Sequence, residues 1–146
     1  MNNNKKILIV DDEQSLASML RLMLISLGYT APNIVNSSQQ AIEHVRNHNT
    51  DIILMDIMLN DRIDGIQTAH IIKTDYAIPV IFMTGQPSEE IFDRAKEVGP
   101  YGYLIKPIRE EELWSVLENA FYRVQIEGNL EYERILAQRY FNAAPA

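Results

Sequence analysis

Short apolar runs alternate along this chain with stretches in which apolar residues recur every three or four positions. Ile7-Leu8-Ile9-Val10 is continuous, as in a strand buried on both faces of a parallel sheet. Leu16, Met19, Leu20, Met23, Leu24 and Leu27 then form one stripe of an amphipathic helix, which Gly28 ends. A weaker strand lies around Ile34-Val35, and Ser37-Ser38 can cap a helix carrying Ala41, Ile42 and Val45. Ile52-Ile53-Leu54-Met55 is the next buried strand, followed by the loop 60–65 and a helix with Ile66, Ala69 and Ile72. Pro79 opens the strand Val80-Ile81-Phe82-Met83. Pro87-Ser88-Glu89-Glu90 starts a helix with acids in its first turn, and Gly99-Pro100 stops it. Tyr101 to Ile105 is the last strand, and Leu113, Val116, Leu117, Ala120 and Phe121 mark the last helix of this series.

Five strand-then-helix units in this order predict an α/β fold with right-handed crossovers and a parallel sheet covered on both faces. Beyond them, Arg123 to Tyr140 is polar yet helix-prone. Tyr132, Ile135, Leu136 and Tyr140 stand at helical spacing, Gly128-Asn129 interrupts them, and residues 142–146 read as a frayed end. The expected organisation is one domain over residues 1–122 and a helical extension or linker over 123–146.

Composition narrows the function. The 146 residues are 47% hydrophobic and 23% charged, as in an ordinary globular domain, and carry a formal net charge of −7. That balance argues against direct nucleic-acid binding, which needs clustered Lys and Arg. The absence of cysteine excludes disulfides, thiolate nucleophiles and Cys-ligated metals. The apolar run after Lys5-Lys6 is too short for a signal peptide, and none approaches the ~20 residues that span a bilayer, so the expected location is the cytoplasm with no membrane partner.

In an open parallel sheet, ligands bind beyond the carboxyl ends of the strands. Those ends carry Asp11-Asp12-Glu13, Asp56, Thr84-Gly85 and Lys106-Pro107. Three carboxylates in one cleft repel each other, which raises a pKa or favours a cation. A hard cation such as Mg²⁺ suits such oxygen donors beside a phosphate. An Asp there can attack a phosphoryl donor to give an acyl phosphate, with the cation, the Lys106 ammonium and the Thr84 hydroxyl stabilising the spread negative charge. Each residue alone has an ordinary reading: Asp11 or Asp12 as a helix N-cap, Thr84-Gly85 as a strand end, Lys106-Pro107 as a turn. All four at matching strand ends outweigh those readings.

Ile7–Glu13, Ile53–Leu59, Pro79–Gly85 and Gly102–Pro107 together resemble the CheY-like response-regulator receiver domains of two-component systems, over about residues 5 to 122. The resemblance implies a flavodoxin-like, doubly wound (βα)5 fold with strand order 2-1-3-4-5. It implies Asp56 as phosphoacceptor, with Asp11, Asp12, Asp56 and the Met58 backbone carbonyl around Mg²⁺ (or Mn²⁺). It further implies Thr84 as a switch hydroxyl, Lys106 as the cation on the phosphoryl oxygens, and Tyr103 as a switch aromatic, a residue that sequence alone reads equally as a half-buried strand aromatic. Leu59 to Ile63 departs from the family by being one residue longer and lacking the common Pro.

Such a chain is a signalling domain rather than an enzyme, one that catalyses its own phosphoryl transfer and dephosphorylation. Its partners are a sensor histidine kinase or phosphotransfer protein, an output domain or protein, or a second copy. The segment from Arg123 reads either as a dimerisation or docking helix or as a linker, and its Glu-rich, Tyr-containing character favours the linker. A receiver that is never phosphorylated would have lost the acidic pair, Asp56 or Lys106, and none is lost. A flavin or nucleotide binder would need a Gly-rich phosphate loop where Asp11-Asp12-Glu13 stands. An Asp-nucleophile hydrolase would want a second acid near Asp56, where Ile57-Met58 follows instead.

Overall fold

Period-two alternation within each apolar run decides which side of the sheet a residue faces, and the interior divides accordingly. The structure, a computed structural model, describes residues 4–30 and 32–143. In chain order it contains β1 (Ile7–Val10), α1 (Gln14–Ser26), β2 (Asn33–Val35), α2 (Ser38–Asn47), β3 (Ile52–Asp56), α3 (Gly65–Tyr76), β4 (Val80–Thr84), α4 (Glu89–Lys96), β5 (Gly102–Ile105) and α5 (Glu110–Ala143). The sheet is wholly parallel in the order β2-β1-β3-β4-β5, with Ile9 opposite Leu54, Leu54 opposite Ile81, and Ile81 opposite Gly102. Ile9, Leu54 and Ile81 face α1 and α5, packing with Leu20, Leu24 and Leu117. Leu8, Ile53 and Phe82 face the other way, onto Ala41, Ile66, Ile72 and Ala95 of α2, α3 and α4. This is the doubly wound α/β fold expected.

The helix starts follow capping chemistry. Ser37 and Ser88 each accept a hydrogen bond, at 3.1 Å, from the backbone N–H three residues on. Asp64 and Gln67 form a reciprocal capping box at the start of α3. The N-cap of α1 is Glu13, without a side-chain bond of its own; Asp11 Oδ1 accepts from Glu13 N–H at 2.9 Å, which leaves Asp11 Oδ2 and the Asp12 carboxylate for other work. The unusual loop after β3 has a local use: the Asp61 carboxylate accepts from Ser38 N–H at 2.9 Å and so holds the first turn of α2.

Three expectations need correction or limits. Met19 is 54% exposed and stands outside the core, because the buried face of α1 runs through Ala17, Leu20 and Leu24. Gly128-Asn129 does not interrupt the last helix: α5 runs unbroken for 34 residues. One glycine costs a helix about 1 kcal/mol, and helix formers on both sides offset that together with the Arg123–Glu127 and Arg134–Glu131 ion pairs. The frayed end expected over 142–146 is helical as far as Ala143, and the rest of it lies outside the described residues.

Candidate functional site

Parallel strands put all their carboxyl ends on one edge, and there the candidate residues meet. Asp11 follows β1 and is fully buried, Asp56 ends β3 at 3% exposure, and Thr84 ends β4 at 1%. Lys106 follows β5 and is placed by its backbone N–H, which donates to the Thr84 carbonyl at 2.8 Å. The Lys106 ammonium donates to Asp11 Oδ2 at 3.0 Å and lies 3.3 Å from Asp56 Oδ1. Asp12 is exposed at the rim, and its Oδ2 accepts from Asn60 N–H at 2.8 Å. Asp11, Asp12 and Asp56 each offer an oxygen within 4.8 Å of the others.

Burial sets the electrostatics. Desolvation, with the Asp11 charge second, pushes the Asp56 carboxyl up to about 6, although Lys106 and the Met58 N–H pull the other way. Burial alone would lower Lys106, but the Asp56 and Asp11 carboxylates outweigh it and hold the ammonium above its ordinary value. One ammonium faces two buried carboxylates with a third at the rim, which leaves the cluster negative. Three carboxylates in mutual reach form a hard oxygen donor set, and the residual charge suits a divalent cation with its own waters.

Thr84 keeps its hydroxyl at the same edge, where Oγ1 accepts from Gln86 N–H at 3.1 Å. Met58 lies in the loop beyond β3, its side chain exposed and its N–H donating to Asp56 Oδ1 at 3.3 Å. Tyr103 stands in β5, opposite Phe82, and is half-buried. Its ring meets Phe92 of α4 edge-on at 5.3 Å and Phe82 at 6.4 Å. All the sequence candidates except Tyr103 thus gather around one cleft edge, and Tyr103 links that edge to α4.

Two supporting residues escaped sequence reasoning. A Cβ on Gly65 would overlap the Asp56 carbonyl oxygen, and Gly65 N–H donates to Ile57 O at 2.9 Å. Asn60 supplies the N–H that fixes Asp12. The Asp64-Gly65 pair at a helix start was a visible signal for the first, whereas a backbone donor leaves none.

A family model described as response regulator receiver domain matches residues 7–118. Among curated proteins, the chain is 37% identical over 126 residues to the transcriptional regulatory protein ZraR of Escherichia coli O157:H7, covering 86% of this chain and 28% of that one. It is 30% identical over 129 residues to the transcriptional regulatory protein PdtaR of Mycobacterium tuberculosis, covering 88% and 62%. The chain therefore spans about a quarter and under two thirds of these relatives' lengths. Among solved structures, the signal receiver domain of a modulated diguanylate cyclase from Desulfovibrio desulfuricans G20 matches with a TM-score of 0.78 and 36% identity, over 84% of this chain and 97% of that one. With the family match spanning most of the sequence and bracketing the strand-end cluster, this chain belongs to the response regulator receiver domains of two-component systems, a signalling family rather than a classical enzyme family.

Proposed function

We propose that the chain accepts a phosphoryl group on Asp56, from a sensor histidine kinase or a phosphotransfer protein, and catalyses that transfer itself. The observation that carries this reading is the buried Asp56–Lys106–Asp11 cluster with Asp12 at its rim. An Asp56 carboxylate oxygen attacks phosphorus and forms the acyl–phosphate bond as the donor's N–P bond breaks, and the donor imidazole leaves. Lys106 turns an N–H to the phosphoryl oxygens and the Thr84 hydroxyl donates to another. Buried donors fixed beforehand act strongly there, because little water screens them. Receiver domains bind Mg²⁺ at an acidic pocket; in this chain Asp11, Asp12, Asp56 and the Met58 carbonyl would hold it, with Mn²⁺ as a substitute. When bound, the cation offsets the charge that carboxylates and phosphoryl group share. Hydrolysis of the acyl phosphate from the same arrangement resets the domain.

The switch follows from the same groups. A phosphoryl group adds about −1.5 to −2 charges, so Thr84 is drawn towards it, and Tyr103 packs into the space that Thr84 vacates. The surface of α4, β5 and α5 then changes its balance between two arrangements, which an output domain or protein partner reads. The receiver reaches to about residue 122, and the residues beyond serve as extension or linker.

Incubation with acetyl phosphate and Mg²⁺, followed by intact mass, tests the central step. A single phosphoryl adduct is expected, absent from Asp56→Asn. No adduct, or one that survives that substitution, overturns the reading. Thr84→Ala should still label while its conformational response is blunted; an unchanged response removes the switch role.

A further inference from the structure

The stretch Leu59 to Ile63 carries no proline, so every residue in it keeps a backbone N–H to donate. Leu59 is buried and fixes where the stretch leaves the core, while Asn60, Asp61 and Arg62 are exposed. Exposed as it is, this loop is tied down twice. Asn60 N–H donates to Asp12 Oδ2 at 2.8 Å, across 48 positions of sequence. The next residue is tied to a different element: Asp61 Oδ2 accepts from Ser38 N–H at 2.9 Å, and Asp61 Oδ1 accepts from Arg62 N–H at 2.7 Å. The bonds from Arg62 and Ser38 hold the Asp61 carboxyl below its ordinary range. Ser38 is a firm attachment, 3% exposed and with its Oγ hydrogen-bonded at 2.8 Å to the Thr68 hydroxyl of α3. Helix α2 has no acid in its own first turn, so Asp61 supplies from outside the negative charge that a helix start favours.

We propose that Asn60 and Asp61 are positioning residues for the cation of the acidic cluster, a bracket between α2 and Asp12 in which neither side chain is a ligand. The inference rests on the cation site of the proposed function. Asp12 is exposed and, among the described residues, its carboxylate accepts no other hydrogen bond, so without the Asn60 N–H it turns freely in water. Held by that bond, it offers an oxygen within 4.8 Å of those of Asp11 and Asp56. A carboxylate has about four acceptor sites and one N–H takes one of them, so the bond orients Asp12 and still leaves it able to bind. Loss of a partner behind a metal ligand typically weakens the metal about 10–100-fold, because the ligand must then be ordered as the ion binds. Asp61 acts one link further out: its hold on Ser38 sets where the Asn60 N–H stands. That effect runs through hydrogen bonding, and the charge of Asp61 is incidental to it.

Mg²⁺ titrated into the isotope-labelled 146-residue chain, followed by amide chemical shifts, reads the dissociation constant. Asn60→Pro deletes the donor and should weaken Mg²⁺ about tenfold or more, while Asn60→Ala keeps the N–H and should stay within about twofold. Asp61→Ala should weaken it severalfold. Asp61→Asn, which still accepts from Ser38 N–H but carries no charge, should restore most of the affinity. Melting temperatures in EDTA, which follow the fold alone, should not track these affinities. Amide exchange reads the bond without altering the loop: the Asn60 N–H should exchange slowly in the wild type and faster in Asp12→Ala. If Asn60→Pro does not fold, that comparison decides. Unchanged or tighter Mg²⁺ binding by Asn60→Pro, equal losses in Asp61→Asn and Asp61→Ala, or an Asn60 amide indifferent to Asp12→Ala overturns the proposal. In each of those outcomes the wild type still binds Mg²⁺ and labels Asp56 with acetyl phosphate, whereas a wild type that does neither overturns the proposed function and this inference with it.

Discussion

Asp56 costs the fold something when it is ionised, because burial and the Asp11 charge raise its pKa from 3.8 to about 6. An acid whose folded pKa lies above its unfolded value takes up a proton on folding. Its contribution favours the fold below about pH 4 and is lost as pH rises through 6. Without divalent cations, Asp56→Asn is therefore expected to stabilise the protein at pH 7.5 by up to about 3 kcal/mol, and to change little below pH 4. Urea unfolding of both proteins across that range checks the sign; a less stable Asn variant at neutral pH contradicts it. Gly65 works from the opposite direction. An added Cβ would sit 2.8 Å from the Asp56 carbonyl carbon and 2.9 Å from Ile57 Cα, both backbone atoms that yield only with the strand end. Gly65→Ala should cost about 1–3 kcal/mol and slow acetyl-phosphate labelling as well, since the acceptor is displaced. A variant with normal stability and labelling rate would show that the strand end has slack.

Two helices carry residues whose conformational preferences are exchanged. Ala77 closes α3 in the left-handed region, at φ 55°, where an L side chain is strained and glycine is at ease. Gly128 sits inside α5, where a Cβ would meet nothing within 4 Å and glycine only loses entropy. Ala77→Gly and Gly128→Ala are each expected to add about 0.5–1 kcal/mol, the first to global stability by chemical unfolding. The second is local: amide exchange over residues 123–141 should slow while the sheet is unaffected. Faster exchange there in Gly128→Ala would mean that the helix needs a flexible point at that position. The Gly128 case also marks where sequence reading failed. Gly-Asn looks like a stop, but the helix formers on both sides, with the flanking Arg123–Glu127 and Arg134–Glu131 ion pairs, offset one glycine, and the dipeptide alone does not weigh them.

At the scale of the whole molecule, the α/β alternation and the strand-end chemistry were legible because both depend on short-range pattern: four continuous apolar runs, each followed by a polar residue of marked character. What was not legible depends on contact between distant segments. The Asp61 carboxylate on α2, the Asn60 N–H on Asp12 and the close approach of Gly65 to Asp56 are backbone meetings that no local pattern encodes. The same long-range convergence makes global stability a reporter of the site. Asp11 and Asp12 come from one strand end and Asp56 from another, 44 and 45 positions away in sequence, and they can act together only in the folded chain. A cation that binds there binds the native state alone and raises the melting temperature by mass action. It must also find Asp56 ionised, so binding releases a proton and weakens as pH falls below about 6. Mg²⁺ should thus raise the melting temperature clearly at pH 7.5 and much less at pH 5. The rise should vanish on chelation, and Asp12→Ala should lose most of it while keeping its fold, since Asp12 is exposed. Equal shifts at the two pH values would separate cation binding from Asp56, and a full shift in Asp12→Ala would put the cation elsewhere on this acidic surface.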